Sequence, residues 1–321
     1  MGNPLLIFPT AWDAPQLAAC GRQAALGDPG DDCADDFDVL AYIDRLCAER
    51  GFDAIASSSD YPGPTATAAV ATRLGLPGST PEVAIRSSHK YYSRLAQRDV
   101  APEATPAFWL VDPNGPPPPI EYPCFIKPVK GAFSVMTGKL ESPDDLRAFL
   151  ARPAARRFID SYVTMFNASH FIAEEYLPGR QSTVDGYCTG DDAHVMGIVD
   201  SIVDEKTRSF TRFEHPSTLP EPVQARMAGI GRRVMRRLGL RWTMFNVEMN
   251  WNPATDRVHI IEVNPRISGQ FGDLYQKVDG VNGYECMLAL ARGERPPVRR
   301  AGSCRRPPRS RARAVRIPRG S

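Results

Sequence analysis

The sequence predicts a mixed α/β protein in which a small parallel α/β unit leads into a larger part built on antiparallel strands. Three observations carry this. The first hundred residues alternate strand-like and helix-like segments, the order that gives a parallel sheet. Two apolar strands, CFIKP and FIAEE, follow in mid-chain, and each runs into a proline. Finally, TMFNVEMNW and RVHIIEVNP read as two strands joined by a short turn containing Asn252, Pro253 and Asp256.

The elements follow in chain order. PLLIFP is an apolar strand, APQLAACGRQAAL a helix, and residues 28–36 an acidic loop. That loop lacks the spaced ligands and terminal Glu of a calcium loop, so it reads as a solvated turn. In DVLAYIDRLCAER, Val39, Leu40, Ile43, Leu46 and Cys47 fall at helical spacing. DAIASSS is a strand and TATAAVATRLGL a helix that stops at Gly75 to Gly78. No GxGxxG is present, so a dinucleotide fingerprint is excluded. Asp60, Tyr61 and Gly63 fall at the carboxyl end of the DAIASSS strand, where ligands bind in open α/β sheets.

Lys127 ends the CFIKP strand, held extended by the proline after it. An ammonium there suits phosphate oxygens, and the loop through Lys130, Gly131, Ser134 and Gly138 offers backbone N–H groups and mobility. A plain hairpin is the alternative reading of that loop. In FIAEEYLPG, alternation puts Phe171, Ala173, Glu175 and Leu177 on one face before Pro178-Gly179 ends the strand. In the hairpin, Asn246, Glu248 and Asn250 share one face of the first strand, and Glu262, Asn264 and Arg266 share one face of the second. Closing the turn brings Glu248 opposite Glu262. Facing like charges destabilise a sheet, so the pair asks for a cation. Oxygen ligands of this kind suit Mg²⁺ held jointly with phosphates. An ordinary solvated strand face is the alternative. The turn from Ile267 to Gly272, through Gly269, leads into a helix near residues 284–292 and offers backbone donors to a carboxylate.

Glu248 followed by Glu262-Val263-Asn264-Pro265-Arg266 resembles the metal-binding end of the ATP-grasp superfamily, and the upstream segments match it in order from about residue 87 to 297. The resemblance implies an ATP-grasp fold preceded by a pre-ATP-grasp domain at 1–86. A small subdomain would follow at 87–178, and a large metal-binding one at 179–298. It implies ATP and two Mg²⁺ ions, with Mn²⁺ as a substitute. Lys90, Lys127, Gly131 and Ser134 would hold the phosphates. The main chain of Glu175, Tyr176 and Leu177 would read adenine, with Glu174 on its amino group. Glu248, Glu262 and Asn264 would hold the metals, and Arg266, with Lys127, would stabilise the transferring phosphoryl group. Gln181 stands where many relatives carry an acidic ribose ligand, with Asp185 as an alternative ribose or structural group. Arg212 and His215 lie where amino-acid ligases of the superfamily shape the acceptor site, and Gly269 and Asp60 are further substrate candidates. The implied reaction is carboxylate–amine ligation through an acyl-phosphate, on amino acids or small carboxylic acids, most like L-amino-acid ligases. Activation of bicarbonate as in biotin carboxylase, a kinase-like member and a non-catalytic ATP-binding regulator are the alternatives. Relatives of this kind often form homodimers.

Composition is that of a globular soluble protein: 42% of residues are hydrophobic and 24% charged. No apolar run reaches the roughly 20 residues of a membrane span, and the N-terminus lacks the basic region of a signal peptide. Seven scattered cysteines without CxxC point to reduced thiols and a cytoplasmic setting. Five dispersed histidines argue against zinc. The net charge of +2 conceals an uneven distribution: residues 299–321 hold nine of the 39 basic residues and no acid, leaving 30 against 37 and a body at −7. An acidic body does not suit specific nucleic-acid binding. The Arg/Pro/Ser tail lacks periodicity and is expected to be disordered, whether a tether for an acidic partner or a segment without function.

Overall fold

The computed structural model describes residues 5–8, 24–26, 45, 48, 51–60, 63–131, 136–152, 169–190, 192–204, 210–297 and 312–314. Strands β1 (Leu5–Phe8), β2 (Ala24–Leu26) and β3 (Ala54–Ser57) form a parallel sheet in the order β2-β1-β3. The parallel unit expected at the N-terminus is present. Its second strand is a correction: Ala24–Leu26 was expected to close a helix, but it pairs with Leu5, Leu6 and Ile7. Sheet pairing outweighs the local helix preference of a short Ala-Ala-Leu run. The rest of that expected helix and the acidic loop lie outside the described residues. Of the helix expected over 38–50, Arg45 and Ala48 are described, and both are helical.

Helices α1 (Gly63–Leu74), α2 (Pro81–Ser88) and α3 (Lys90–Val100) follow. Thr80 caps α2 through its hydroxyl, with Pro81 at the first helical position, where its missing N–H costs nothing. A four-stranded antiparallel sheet comes next, in the order β4-β7-β5-β6, from β4 (Phe108–Val111), β5 (Cys124–Pro128), β6 (Gly138–Leu140) and β7 (Phe171–Glu175). Helix α4 (Pro143–Leu150) covers it through Leu146 and Phe149, which join Ile126, Leu140 and Phe171 in one core.

The largest sheet runs β12-β11-β8-β9-β10-β13, made by β8 (Arg180–Thr189), β9 (Asp192–Val203), β10 (Phe210–His215), β11 (Thr243–Asn252), β12 (Arg257–Asn264) and β13 (Ala312–Ala314). Helix α5 (Glu221–Leu238) buries Val223, Met227, Ile230, Val234 and Leu238, the i, i+4, i+7, i+11, i+15 stripe of an amphipathic helix. The stripe packs on Val184, Val247 and Met249 of β8 and β11. Gly239 ends the helix in the left-handed conformation that a residue without Cβ adopts at no steric cost. The opposite face of the sheet is covered near β9 and β10 by α6 (Gly272–Asp279), whose Leu274 and Tyr275 meet Val199 and Phe213. Helix α7 (Gly283–Ala291) packs beside β3 and β11.

Two expectations about organisation change. Helix α3 was expected to open the small subdomain, yet its Ala96 and the following Ala101 and Ala104 belong to the core beneath the six-stranded sheet. The tail was expected to be disordered, yet Ala312–Ala314 pair with Phe213, Glu214 and His215 of β10. Without β13, β10 would be a sheet edge with unpaired N–H and C=O groups, which recruits any extended chain within reach.

Candidate functional site

The hairpin closes in the expected register. Asn246 pairs with Asn264 and Glu248 with Glu262. The register then slips, so that Met249 faces Ile260 and Ile261 has no partner. This β-bulge frees a backbone carbonyl. The Ile261 oxygen accepts from Arg94 Nη2 at 2.8 Å and from Lys127 Nζ at 3.0 Å. An irregularity in the ladder thus fastens the six-stranded sheet to a strand of the smaller one and to α3.

Lys90 opens α3 as expected. His89 caps the helix, its Nδ1 accepting from Tyr92 N at 3.4 Å. Burial first, then Lys130 and Lys90, push the His89 pKa down to about 4, which keeps the ring neutral and able to accept. Lys90 N donates to Val129 O at 2.8 Å. Lys90 Nζ donates to Gly131 O at 3.1 Å and pairs with Glu262 at 2.9 Å. Lys130 is buried too, its Nζ 3.3 Å from Ser88 O, and burial with Lys90 nearby brings its pKa down to about 8. Lys90, Lys130 and the glycine loop therefore meet at the Glu262 end of the hairpin. Ser134 lies outside the described residues.

Glu174 departs from expectation. Its carboxylate was expected at an adenine amino group. Instead it is 4% exposed, with Arg94 Nε at 2.6 Å and Lys127 Nζ at 2.7 Å. Burial alone would raise its pKa, but the two cations outweigh burial and hold it at about 2. Each oxygen thus carries one buried cation. Arg94, 2% exposed and also donating to Gln97, is the residue that sequence reasoning missed. Its signal was positional: it sits four residues after Lys90, on the same face of the helix. Glu175, Tyr176 and Leu177 are half-buried. Glu175 N donates to Ala107 O at 2.9 Å, and Leu177 O accepts from Asn250 at 3.4 Å. Lys139 lies over the Tyr176 ring, 4.3 Å from its centre.

At the hairpin, Glu248 is half-buried and its pKa is raised to about 7, first by burial and then by Glu262. Gln181 Nε2 donates to Glu248 Oε2 at 2.9 Å, so Gln181 serves the carboxylate pair in this structure. Asn264 Nδ2 donates to Asn246 Oδ1 at 2.9 Å, which leaves the Asn264 amide oxygen as the free end. Two facing carboxylates, one with a raised pKa, and an amide oxygen make a hard oxygen donor set that fits Mg²⁺. Among the described residues no three His, Cys, Asp or Glu side chains form a metal cluster. A cation here needs further oxygens, the role phosphate and water usually fill for Mg²⁺.

Arg266 joins the N-terminal unit to this site. Its Nη2 pairs with Asp60 at 2.8 Å, not with Glu248 or Asp273, and its Nη1 donates to Ile267 O at 3.2 Å. Asp60 sits just past the carboxyl end of β3, as expected of a ligand-side residue in a parallel sheet. Gly269 lies in a single 3₁₀ turn that runs into α6 before α7 begins, one helix more than expected. Asp185 is buried beside Ser268 Oγ at 3.3 Å, and burial raises its pKa to about 7, opposed by the Tyr275 and Ser268 hydroxyls.

The two acceptor candidates separate. Arg212 pairs in register with Ile202, and alternation puts both on the α5 side of the sheet, opposite to Phe213 and His215. Arg212 is exposed and bound to Glu214 at 2.7 Å, so it does not join the hairpin site. His215 does lie on the site's face, but both ring nitrogens are committed. Nδ1 is 3.0 Å from Ile198 O and Nε2 is 2.7 Å from Asp279.

Comparison with known proteins follows the same lines. Residues 120–273 match the family model described as an ATP-grasp domain. No curated protein matches the chain. The L-amino acid ligase from Bacillus licheniformis is similar in structure, with a TM-score of 0.74, 17% identity, and 90% of this chain and 75% of that chain covered. The biotin carboxylase domain dimer of Hydrogenobacter thermophilus 2-oxoglutarate carboxylase, complexed with MgADP, ADP and bicarbonate, gives 0.71 at 14% identity, covering 92% and 70%. N5-carboxyaminoimidazole synthase from Aspergillus clavatus, with ADP and 5-aminoimidazole ribonucleotide, gives 0.69 at 12%, covering 92% and 78%. At these identities the likeness is one of fold.

Proposed function

We propose that this chain, a member of the ATP-grasp family, is an ATP-dependent carboxylate–amine ligase. The carrying observation is the in-register Glu248–Glu262 pair with Lys90 on Glu262 and Arg266 two residues beyond Asn264. A protein that only binds adenine has no need of facing carboxylates, whose mutual repulsion costs stability. Glu248, Glu262 and the Asn264 amide oxygen would hold Mg²⁺, which when bound neutralises charge on phosphate oxygens.

In this reading Lys90, Lys127 and Lys130 bind the triphosphate of ATP from the side of the glycine loop. Lys127 is fixed by Glu174 and the Ile261 carbonyl, so the loss of its freedom is met on folding and not on binding. Arg266 neutralises charge on the phosphoryl group as it passes to the carboxylate substrate. The amine then attacks the acyl-phosphate carbon, the C–N bond forms, phosphate leaves with the bonding pair, and the amine proton passes to solvent or phosphate. No side chain need act as nucleophile. The B. licheniformis enzyme is an L-amino acid ligase, which favours amino acids or similar small acids as substrates of this chain.

The test is phosphate release from full-length protein with Mg-ATP against pooled amino acids and small carboxylic acids, with Glu262→Gln as control. Release that requires both a carboxylate and an amine is the expected result. Release that persists unchanged in Glu262→Gln would sink the assignment.

A further inference from the structure

The sheet face that carries Glu248 and Glu262 also carries a buried acid that the proposed reaction leaves unused. Asp185 of β8 is 4% exposed and lies across the ladder from Asn246 of β11 and from Gly197 of β9, on their face. A side chain at 197 would meet His215 Cε1 at 2.8 Å and Tyr275 Cε1 at 2.9 Å, so the glycine leaves room for those two rings. The titratable and charged groups around Asp185 are Tyr275 of α6, His215 of β10 with its partner Asp279, and Arg266 just past β12. One hydrogen bond joins the carboxyl to the turn from Ile267 to Gly272: Ser268 Oγ donates to Oδ1 at 3.3 Å. Phe271 N donates to Ser268 O at 3.0 Å and fixes that turn.

The use of its oxygens separates this acid from other buried ones. Glu174 carries a cation on each oxygen. Asp200 accepts from Ser182 and Ser217 on Oδ1 and from Thr218 on Oδ2. Asp185 Oδ2 is buried and accepts from no donor. A proton can therefore settle on Oδ2 without displacing a hydrogen bond. Burial lifts the pKa to about 7 against the Tyr275 and Ser268 hydroxyls, His215 and Arg266. A carboxyl of this kind exchanges a proton at neutral pH, which an acid held on both oxygens does not. The ligase reaction has a proton to dispose of, because an amine is mostly protonated at pH 7 and must lose one before its lone pair can attack. Asp185 is too enclosed to touch the amine. Ser268 lies between it and the turn, and a hydroxyl both donates and accepts.

We propose that Ser268 and Asp185 form a proton relay for the amine substrate, with Ser268 Oγ on the amine nitrogen and the Asp185 carboxylate as the base behind it. The inference rests on the ligase reading and adds the groups that activate its nucleophile. The ammonium proton moves to Ser268 Oγ as the Ser268 proton moves to Asp185. The N–H bonding pair stays on nitrogen and becomes the attacking lone pair. The proton later leaves Asp185 by the same route to phosphate or solvent. Catalytic hydrogen bonds as long as the one between Ser268 and Asp185 tighten when substrate fills the site.

The test is turnover of the full-length protein and its variants with Mg-ATP and pooled L-amino acids, which supply both carboxylate and amine, with and without excess hydroxylamine. Hydroxylamine is neutral at pH 7 and attacks an acyl-phosphate without first losing a proton, so it bypasses the relay. Asp185→Asn and Ser268→Ala should lower amine-dependent phosphate release at pH 7 about a hundredfold, the scale of general base catalysis. Ser268→Thr, which keeps the hydroxyl, should retain most of the rate. Hydroxamate formation should stay near wild type in all three, which also shows that they are folded. Release by the wild type should rise with pH to about 7 and then level, because the base must be deprotonated. In Asp185→Asn it should keep climbing as free amine accumulates. Equal losses in both assays, or a wild-type pH profile shared by Asp185→Asn, would overturn the relay. A wild type that forms neither phosphate nor hydroxamate from amino acids or small carboxylic acids would instead overturn the ligase reading beneath it.

Discussion

Glu174 and Glu248 are both withdrawn from water near the same sheet junction, yet they titrate in opposite directions. Glu174 has Arg94 and Lys127 on its two oxygens, and its pKa falls to about 2. Glu248 faces another carboxylate across the ladder, receives only the Gln181 amide, and its pKa rises to about 7. Burial raises both; direct ion pairs with Arg94 and Lys127 reverse it at Glu174, whereas Glu262 adds repulsion at Glu248 that the more distant Lys127, Arg266 and Lys90 do not overcome. The difference separates two uses of a buried acid. Glu174 is satisfied by the fold and braces it. Glu248 has the neutral Gln181 amide and not a cation on its carboxylate, as expected of a residue that would receive a metal ion under the proposed function.

Removing one partner from each group should therefore give opposite phenotypes. Glu262→Gln is expected to lower turnover by on the order of a thousandfold, the scale of losing a preorganised charge at a transferring group. Its melting temperature should stay near that of the wild type, because the substitution also relieves repulsion on Glu248. Calorimetry and phosphate release on the same preparation would decide it, and a large fall in stability would contradict the comparison. Arg94→Met should do the reverse. Breaking a buried pair by removing one partner costs about 3–5 kcal/mol, so thermal unfolding should shift down by roughly 6–15 °C for a chain of this size. Mg-ADP binding should survive wherever the variant is still folded.

The same contrast predicts a pH response. Glu174 has a folded pKa below its unfolded value of 4.5, so its stabilisation is complete above that value and is lost as pH falls from there toward about 2. The loss amounts to about 3 kcal/mol over the window. Urea unfolding at pH 5 and pH 3, in wild type and in Glu174→Gln, would isolate it; the variant should lack most of the slope.

The hairpin register was legible because strand alternation and a short turn determine which side chains face each other. Asn246, Glu248, Glu262 and Asn264 needed no tertiary information, whereas Lys90 at a helix start came from the family resemblance alone. What escaped depended on packing between segments far apart in the chain. Arg94 lies 80 residues from Glu174 and 167 from Ile261, and its one local signal, a place four residues after Lys90, does not name those partners. The bulge at Ile261 is invisible in a regular period of two. Arg212 was placed by the resemblance alone, which carried no information on the face it takes in β10, where it is exposed and bound to Glu214. The Ala24–Leu26 strand was missed because three residues carry too little pattern to oppose a helix reading.

Gln181 offers the finest test of the comparison, since it is the one amide recorded against the carboxylate pair. Gln181→Glu replaces a donor on Glu248 with a third acid. In the absence of divalent ions the substitution should cost about 1 kcal/mol, the size of one lost hydrogen bond, through added repulsion. Mg²⁺ should return part of that loss, because an extra anionic oxygen beside Glu248 strengthens attraction for a divalent ion. The readout is the difference between melting temperatures with Mg-ADP and with EDTA: it should widen in Gln181→Glu and narrow in Gln181→Leu, which removes the donor and adds no charge. If both variants moved the difference in the same direction, Gln181 would act only by packing.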